Sequence, residues 1–270
     1  MRQSERRRAS AFGPTASRNR KGRLATRRIA ELTWQRFGEL VPGRIERVLV
    51  PVGTMEAHGV LPLGTDTLIP DRLADRLAGP LDALVAPPMP YGLTSSLRAY
   101  PGSMTLEMET FQDVMYQVGA ELGRNGFRRI VFLNGHGGQT HELRTVVDDL
   151  HRDHDLFSMV VEWWPLGADA CRDVFGAAGG HAGVDETAAV TALAPDLVEA
   201  RRMKRSLSYR VRPGLAARPA PGPILHFGDD EGEPVFDSHK AALYAARMVD
   251  SVQAAVQEVL AAWETNLHGR

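Results

Sequence analysis

The sequence predicts an α/β layered domain built on a mostly parallel sheet. Short β-branched and aliphatic runs, Val48–Val52 and Arg129–Leu133 foremost, alternate along the chain with amphipathic stretches of helix length. These two runs each lead into a glycine-containing loop rich in potential ligands, which is where open parallel sheets bind what they act on. At 270 residues, 43% hydrophobic and 24% charged, the chain has the composition of a globular protein with room for one large domain of this class.

Residues 1–28 stand apart. They carry ten basic side chains against one acid, Glu5, in a chain whose net charge is −1. Such a segment buries too little apolar surface to offset its ordering entropy, so it is expected to be a disordered basic tail. Residues 29–270 are then expected to form a single domain. Ile29–Leu40 has helical spacing, with Thr33 as cap and Trp34 and Phe37 turned inward. Val48–Val52 is a buried strand. Pro70–Leu81 reads as a helix with Pro70 in its first turn and Gly79–Pro80 as its stop. Ala83–Ala86 is a short strand, and Thr105–Asn125 a helix capped by Gly126. Arg129–Leu133 is a core strand, Glu142–Asp153 a helix, Phe157–Glu162 a strand, and Thr187–Leu193 a helix. The Pro- and Gly-rich segment 204–236 reads as an irregular excursion over the site. Lys240–Thr265 is a long final helix.

Bulk charge near zero points to no nucleic-acid or membrane partner. One cysteine, Cys171, leaves no intrachain disulfide and no thiolate zinc cluster, so it reads as a small buried hydrophobe and any metal must rest on histidine and carboxylate. No apolar run approaches the roughly 20 residues that span a bilayer, and no secretory apolar segment follows the basic tail. A cytoplasmic location is the expectation.

Three motifs carry the chemistry. VGTMEAHGVLPLGTD (52–66) holds Glu56, His58 and Asp66. In an extended segment Glu56 and His58 point the same way, and the Pro62–Gly64 turn can bring Asp66 back to them. NGHGGQ (134–139) holds His136 between glycines, with Asn134 able to fix the turn through its own backbone. GGHAGVDET (179–187) holds His181 and Glu186 at the entrance to a helix. Imidazole and carboxylate donors suit zinc, manganese or iron(II), and two such ions sharing a water make a hydrolytic centre. Neither a P-loop nor a GxSxG elbow is present.

With these motifs in this order, the chain resembles the creatininase (creatinine amidohydrolase) family over about residues 28–245. PVGTMEAHGVLPLGTD stands where the family has PxGSxEQHGPHLPLxTD, NGHGGQ where it has NGHGGN, and HAGVDET where it has HAGExET; AELTW, YPGS and GEPVFDSHKA are softer matches. The resemblance implies a three-layer α/β/α sandwich, often assembled as a homohexamer, with two divalent metal ions per subunit (Zn, Mn or Fe) and hydrolysis of C–N amide bonds in small molecules. By position it implies that Glu56, Asp66 and His136 hold one ion. His58, Asp66 and a further carboxylate hold the other, with Asp66 bridging. In creatininase itself that carboxylate follows the NGH histidine by two residues. Gly138 stands there in this chain, so Glu186 takes the place, as ligand, base or both. His181 corresponds to a proton-transfer histidine and Ser95 to a substrate contact. The first motif is one residue short, Val184 replaces a glutamate and Gln139 an asparagine, departures that bear on the substrate pocket. Trp163–Trp164 reads as a flap or as core. His141, His151, His154, His226, His239 and His268 are set aside as surface or satisfied histidines.

The function this supports is hydrolysis of a small amide, cyclic or a formamide. The alternatives are a peptidase trimming a peptide-derived cofactor precursor of the mycofactocin type, and a metal-binding scaffold without turnover.

Overall fold

A computed structural model describes residues 24–267. Its centre is a four-stranded sheet in the order β2–β1–β3–β4, formed by Ala83–Val85 (β2), Arg47–Val52 (β1), Arg129–Asn134 (β3) and Phe157–Glu162 (β4), with every pairing parallel. Alternate residues of each strand face opposite layers, and both layers are apolar. Val48, Val50, Val52, Ile130 and Phe132 pack on one side with α1 (Trp34–Leu40), α3 (Met108–Arg124) and α4 (Thr140–His154). Leu49, Val131, Leu133 and Val161 pack on the other with α2 (Thr65–Leu77), α6 (Ala168–Phe175), α7 (Val184–Leu193) and α8 (Ser238–Asn266). This is the three-layer α/β/α sandwich. It explains why the strands read as unbroken apolar runs: both faces are buried. A four-residue helix, α5 (Trp163–Leu166), joins β4 to α6.

Pro51 sits in the middle of the sheet, where a missing N–H usually breaks a ladder. Its carbonyl accepts from Met89, on the β2 side of β1, beyond the end of β2. The absent donor faces that same side, so pairing with β3 is intact through Val52↔Asn134.

The structure revises several expectations. α2 begins at Thr65, not Pro70, because the Pro62–Gly64 turn supplies its first carbonyls: Gly64 O accepts from Thr67 N at 3.0 Å and Leu68 N at 2.8 Å. Pro70 therefore lies inside the helix, where its missing N–H releases the carbonyl of Asp66. Asp66 is thus a first-turn residue, its carboxylate at the positive end of the helix dipole. Phe37 turns inward as expected, edge-on to Phe127, but Trp34, at the outer end of two-turn α1, is 81% exposed. Thr33 does cap that helix, accepting from Arg36 N.

Residues 1–23 of the expected tail lie outside the described residues. Its last residues are tied down: Arg28 pairs with Asp71 at 2.8 Å and Asp75 at 2.7 Å on α2, and Arg27 with Asp82 at 3.0 Å. Two adjacent carboxylates on one helix face hold a guanidinium more firmly than composition alone conveys. The 204–236 excursion contains a parallel pair, β5 (Ser208–Arg210) and β6 (Ile224–His226). No helix among the described residues is long and apolar enough to cross a membrane.

Candidate metal centre

The strand order reverses direction between β1 and β3, so the crevice at their carboxyl ends is the switch point of the sheet. β1 runs out into Glu56 and His58, and β3 into His136. α2 brings Asp66 alongside, because its first turn packs on the β3 loop: a Cβ at Gly135 would lie 1.8 Å from the Asp66 carbonyl. Only glycine permits that approach. His136 is fixed by Asn134, whose side chain accepts from His136 N at 3.1 Å and donates to His136 O at 2.9 Å.

The resulting cluster is buried. Glu56, His58 and Asp66 are each about 1% exposed. Asp66 stands at the middle, with Oδ1 2.9 Å from His58 Nε2 and Oδ2 3.0 Å from His136 Nδ1. Glu56 Oε1 is 3.5 Å from His136 Nδ1, and Glu186 Oε2 is 3.6 Å from His58 Nε2. Ligand atoms of Glu56, Asp66 and His136 converge on one point, and those of His58, Asp66 and Glu186 on another.

Hydrogen bonds set the tautomers. His58 Nδ1 donates to the Glu56 carbonyl at 2.9 Å, which turns the Nε2 lone pair of the neutral ring towards Asp66. Lone pairs facing a carboxylate must share a cation. With only protons to share, burial would lower His58 and His136, but the facing carboxylates outweigh it and raise them to about 10 and about 9. Burial would raise Asp66, but the two imidazoles hold it well below the usual range. Burial pushes Glu186 up to about 8 and Glu56 up as well.

Metal ions fit this donor set better than protons. Glu56 Oε2, His58 Nε2 and Asp66 Oδ2 are buried with no aligned hydrogen bond, even though two of them have a nitrogen or oxygen neighbour within 3.0 Å. Buried polar atoms are rarely left so, and donors gathered around a shared centre but misaligned with one another are the geometry of ligands.

His181 differs from the other histidines. Its Nε2 donates to the Ala57 carbonyl at 2.9 Å, leaving the Nδ1 lone pair 3.3 Å from Glu56 Oε1. Burial, then the nearby His58 charge, lower it to about 3, so it is neutral. Its ring lies 4.3 Å from that of His58, and it could also join Glu56 and His58 as a ligand.

Ser95 lines the cavity that opens on this cluster, without a described contact to it. Gly138 leaves room for His136: a Cβ there would sit 2.4 Å from His136 Nε2. Glu186 comes from the far side of the crevice instead, its Oε2 also accepting from Ala182 N at 2.6 Å.

Sequence reasoning missed two residues and misplaced a third. Thr94, beside Glu56, is buried with an unpartnered hydroxyl and lines the cavity. Ala182, between His181 and Gly183, has φ of 54°, a left-handed conformation that strains any residue with a Cβ. Only the small Ala182–Gly183 pair after His181 hinted at it. Gln139, expected to bear on the substrate pocket, is fully buried and structural. Its Nε2 donates to Asn134 Oδ1 at 3.0 Å, and its Oε1 accepts from Leu93 N at 3.4 Å. Of the tryptophan pair, Trp163 is core and Trp164 lines the cavity. His226 is buried rather than superficial, its Nε2 3.4 Å from Glu233 and outside the cluster. His141 is exposed.

Comparisons with known proteins point to one family. The family model described as "Creatininase: Creatinine amidohydrolase" matches residues 30–238. The chain is 29% identical to creatinine amidohydrolase of Pseudomonas putida over 221 residues, 73% of this chain and 85% of that protein. It is 31% identical to the mycofactocin precursor peptide peptidase of Mycobacterium ulcerans (strain Agy99), over 60% of this chain and 64% of that one. A crystal structure of creatinine amidohydrolase (creatininase) superposes with a TM-score of 0.75 at 24% identity, covering 87% of this chain and 98% of that chain.

Proposed function

The chain belongs to the creatininase (creatinine amidohydrolase) family, and on that premise we propose that it is a metal-dependent amidohydrolase cleaving a C–N amide bond with two divalent ions bound. The observation that carries this reading is Asp66, buried, with one oxygen facing His58 and the other facing His136. Glu56, Asp66 and His136 would hold one ion, and His58, Asp66 and Glu186 the other, with zinc, manganese and iron(II) all suited to the donors. Bound ions supply the positive charge that acidifies a water and polarises the scissile carbonyl.

The chain's own groups do the rest. The Glu56 carbonyl keeps His58 in the tautomer that ligates through Nε2. The Ala57 carbonyl does the converse for His181, leaving Nδ1 free to accept a proton and pass it to the leaving nitrogen. Burial keeps His181 neutral in the resting site, with an Nδ1 lone pair and no proton. Glu186, tied to Ala182 N, links its ligand role to the position of the His181 loop. Ser95 would touch the substrate from the cavity wall.

We take residues 29–270 as one such domain, assembled as a homo-oligomer. The test is metal content and amide hydrolysis measured together. Chain purified with zinc or manganese should hold close to two ions per subunit and release amine from an amide. Full activity in metal-stripped protein sinks the proposal.

A second reading, trimming of a peptide, is favoured by the cavity of about 820 Å³, which has room for more than a compact ring. Comparing a cyclic amide with a short peptide as substrates separates the two.

A further inference from the structure

The cavity above the cluster owes much of its lining to the 204–236 segment, which contributes Tyr209, Val211, Leu215, Pro221, Leu225 and Phe227. Three of these apolar side chains belong to no core: Tyr209 is 39% exposed, Leu215 59% and Phe227 58%. The segment that presents them is firmly anchored. Val211 N donates to the His226 carbonyl at 2.7 Å, and Ala220 N to the Ser96 carbonyl at 2.7 Å. Tyr100 Oη donates to the Ala220 carbonyl at 3.0 Å, and Leu225 N to the carbonyl of His181 itself at 2.9 Å. The wall is therefore in register with the proton-transfer histidine.

Exposed apolar side chains gathered along one cavity, as Tyr209, Leu215 and Phe227 are, mark a surface that something covers. Here the same cavity is lined by Glu56, His136, His181 and Glu186. A molecule whose amide reaches those groups has its flanking portion against the wall. A volume of about 820 Å³ lies towards the upper end of the roughly 300–1,000 Å³ that encloses drug-sized ligands.

We infer that the substrate is an amide bearing a bulky apolar group, of leucyl or aromatic size or larger, and that Leu215, Phe227 and Tyr209 recognise that group. This rests on the amidohydrolase reading and narrows its substrate class. The wall acts on binding and the cluster on bond cleavage, so the two can fail separately.

The test uses the full-length, zinc-loaded chain and two probes with the same backbone amides, N-acetyl-leucyl-phenylalaninamide and N-acetyl-glycyl-glycinamide. Calorimetry should show the apolar probe binding at least about tenfold tighter. The double variant Leu215→Ser, Phe227→Ser should shrink that preference to within about threefold while leaving the glycyl probe and the metal content unchanged. Equal binding of the two probes by the wild type overturns the inference, as does a preference that survives the double substitution. A double variant that changes oligomeric state without changing preference also overturns it, because the wall would then be covered by a second copy of the chain. Amine release is followed in the same samples. If the wild type prefers the apolar probe but cleaves neither, the amidohydrolase reading fails and the wall stands; if it cleaves both with equal KM, the reading stands and the wall fails.

Discussion

The floor of the cavity and its 204–236 wall are built on opposite principles. The floor is made by the ends of two central strands and the first turn of α2, and it gathers buried polar groups, several of them without an aligned hydrogen bond, around Asp66. The wall is a short two-stranded pair flanked by irregular chain, with apolar side chains turned to water. A sheet end positions ligands to a fraction of an ångström because both faces of the sheet are packed. An excursion outside the sheet can change its side chains without disturbing that packing. On the proposed function, reaction chemistry falls to the floor and substrate choice to the wall.

The largest effect should come from the centre of the floor. Asp66→Asn keeps the shape but removes the charge that both imidazoles face. Metal content should fall well below two ions per chain, and amide hydrolysis by more than about 10³-fold, read by elemental analysis and amine release on one preparation. Full metal content with full activity would break the assignment of Asp66 as a bridge. Next is His181→Gln, which keeps a side chain of similar reach but cannot move a proton. We expect two ions retained, KM little changed and kcat lowered by about 10²–10⁴-fold. Loss of metal in this variant would instead make His181 a ligand, a role its distance to Glu56 permits.

These floor residues were legible in sequence because each lies within two or three residues of a glycine or proline that forces the chain to turn at a strand end. His136 between Gly135 and Gly137 is the clearest case. Asp66 was legible as a member of the cluster but not as a helical residue: Pro70 looked like a helix start, and nothing local reveals that the Pro62–Gly64 turn supplies the first carbonyls. Gln139 was misjudged because one partner, Leu93, comes from a loop 46 residues away while the other, Asn134, ends β3, and a buried amide looks the same in sequence as an exposed one. The wall was readable only as irregular and placed near the site. Which of its side chains face the cavity depends on anchors to Ser96 and His181, contacts made across more than forty residues of chain.

Gln139 sharpens the comparison at intermediate size, since it holds the floor without touching the cavity chemistry. Gln139→Leu leaves Leu93 N without its partner and takes one of two donors from Asn134 Oδ1, His136 N being the other. The expected cost is about 1–3 kcal/mol, the penalty of one stranded buried group, seen as a lower midpoint in urea. Metal affinity should fall with it, because Asn134 orients His136. A destabilised variant with unchanged metal affinity would show that the β3 loop holds its shape through Gly135 and Asp66 alone.

The smallest change expected lies at the seam where floor meets wall. Ala182 carries His181 on one side and donates its N–H to Glu186, and it does so at φ of 54°. Replacing it with glycine relieves left-handed strain of about 1–2 kcal/mol. It also removes a buried methyl worth about 0.8 kcal/mol and adds unfolded-state freedom of about 0.4–1 kcal/mol. These terms nearly cancel, so Ala182→Gly should change stability by no more than about 1 kcal/mol in thermal or urea unfolding. Its effect should appear in kcat, because the same freedom loosens the histidine that the wall anchors through Leu225. A large loss of stability would mean that the Ala182 methyl is a packing anchor between the two regions, and the strain there would then be a consequence of core packing, with no part in aiming His181.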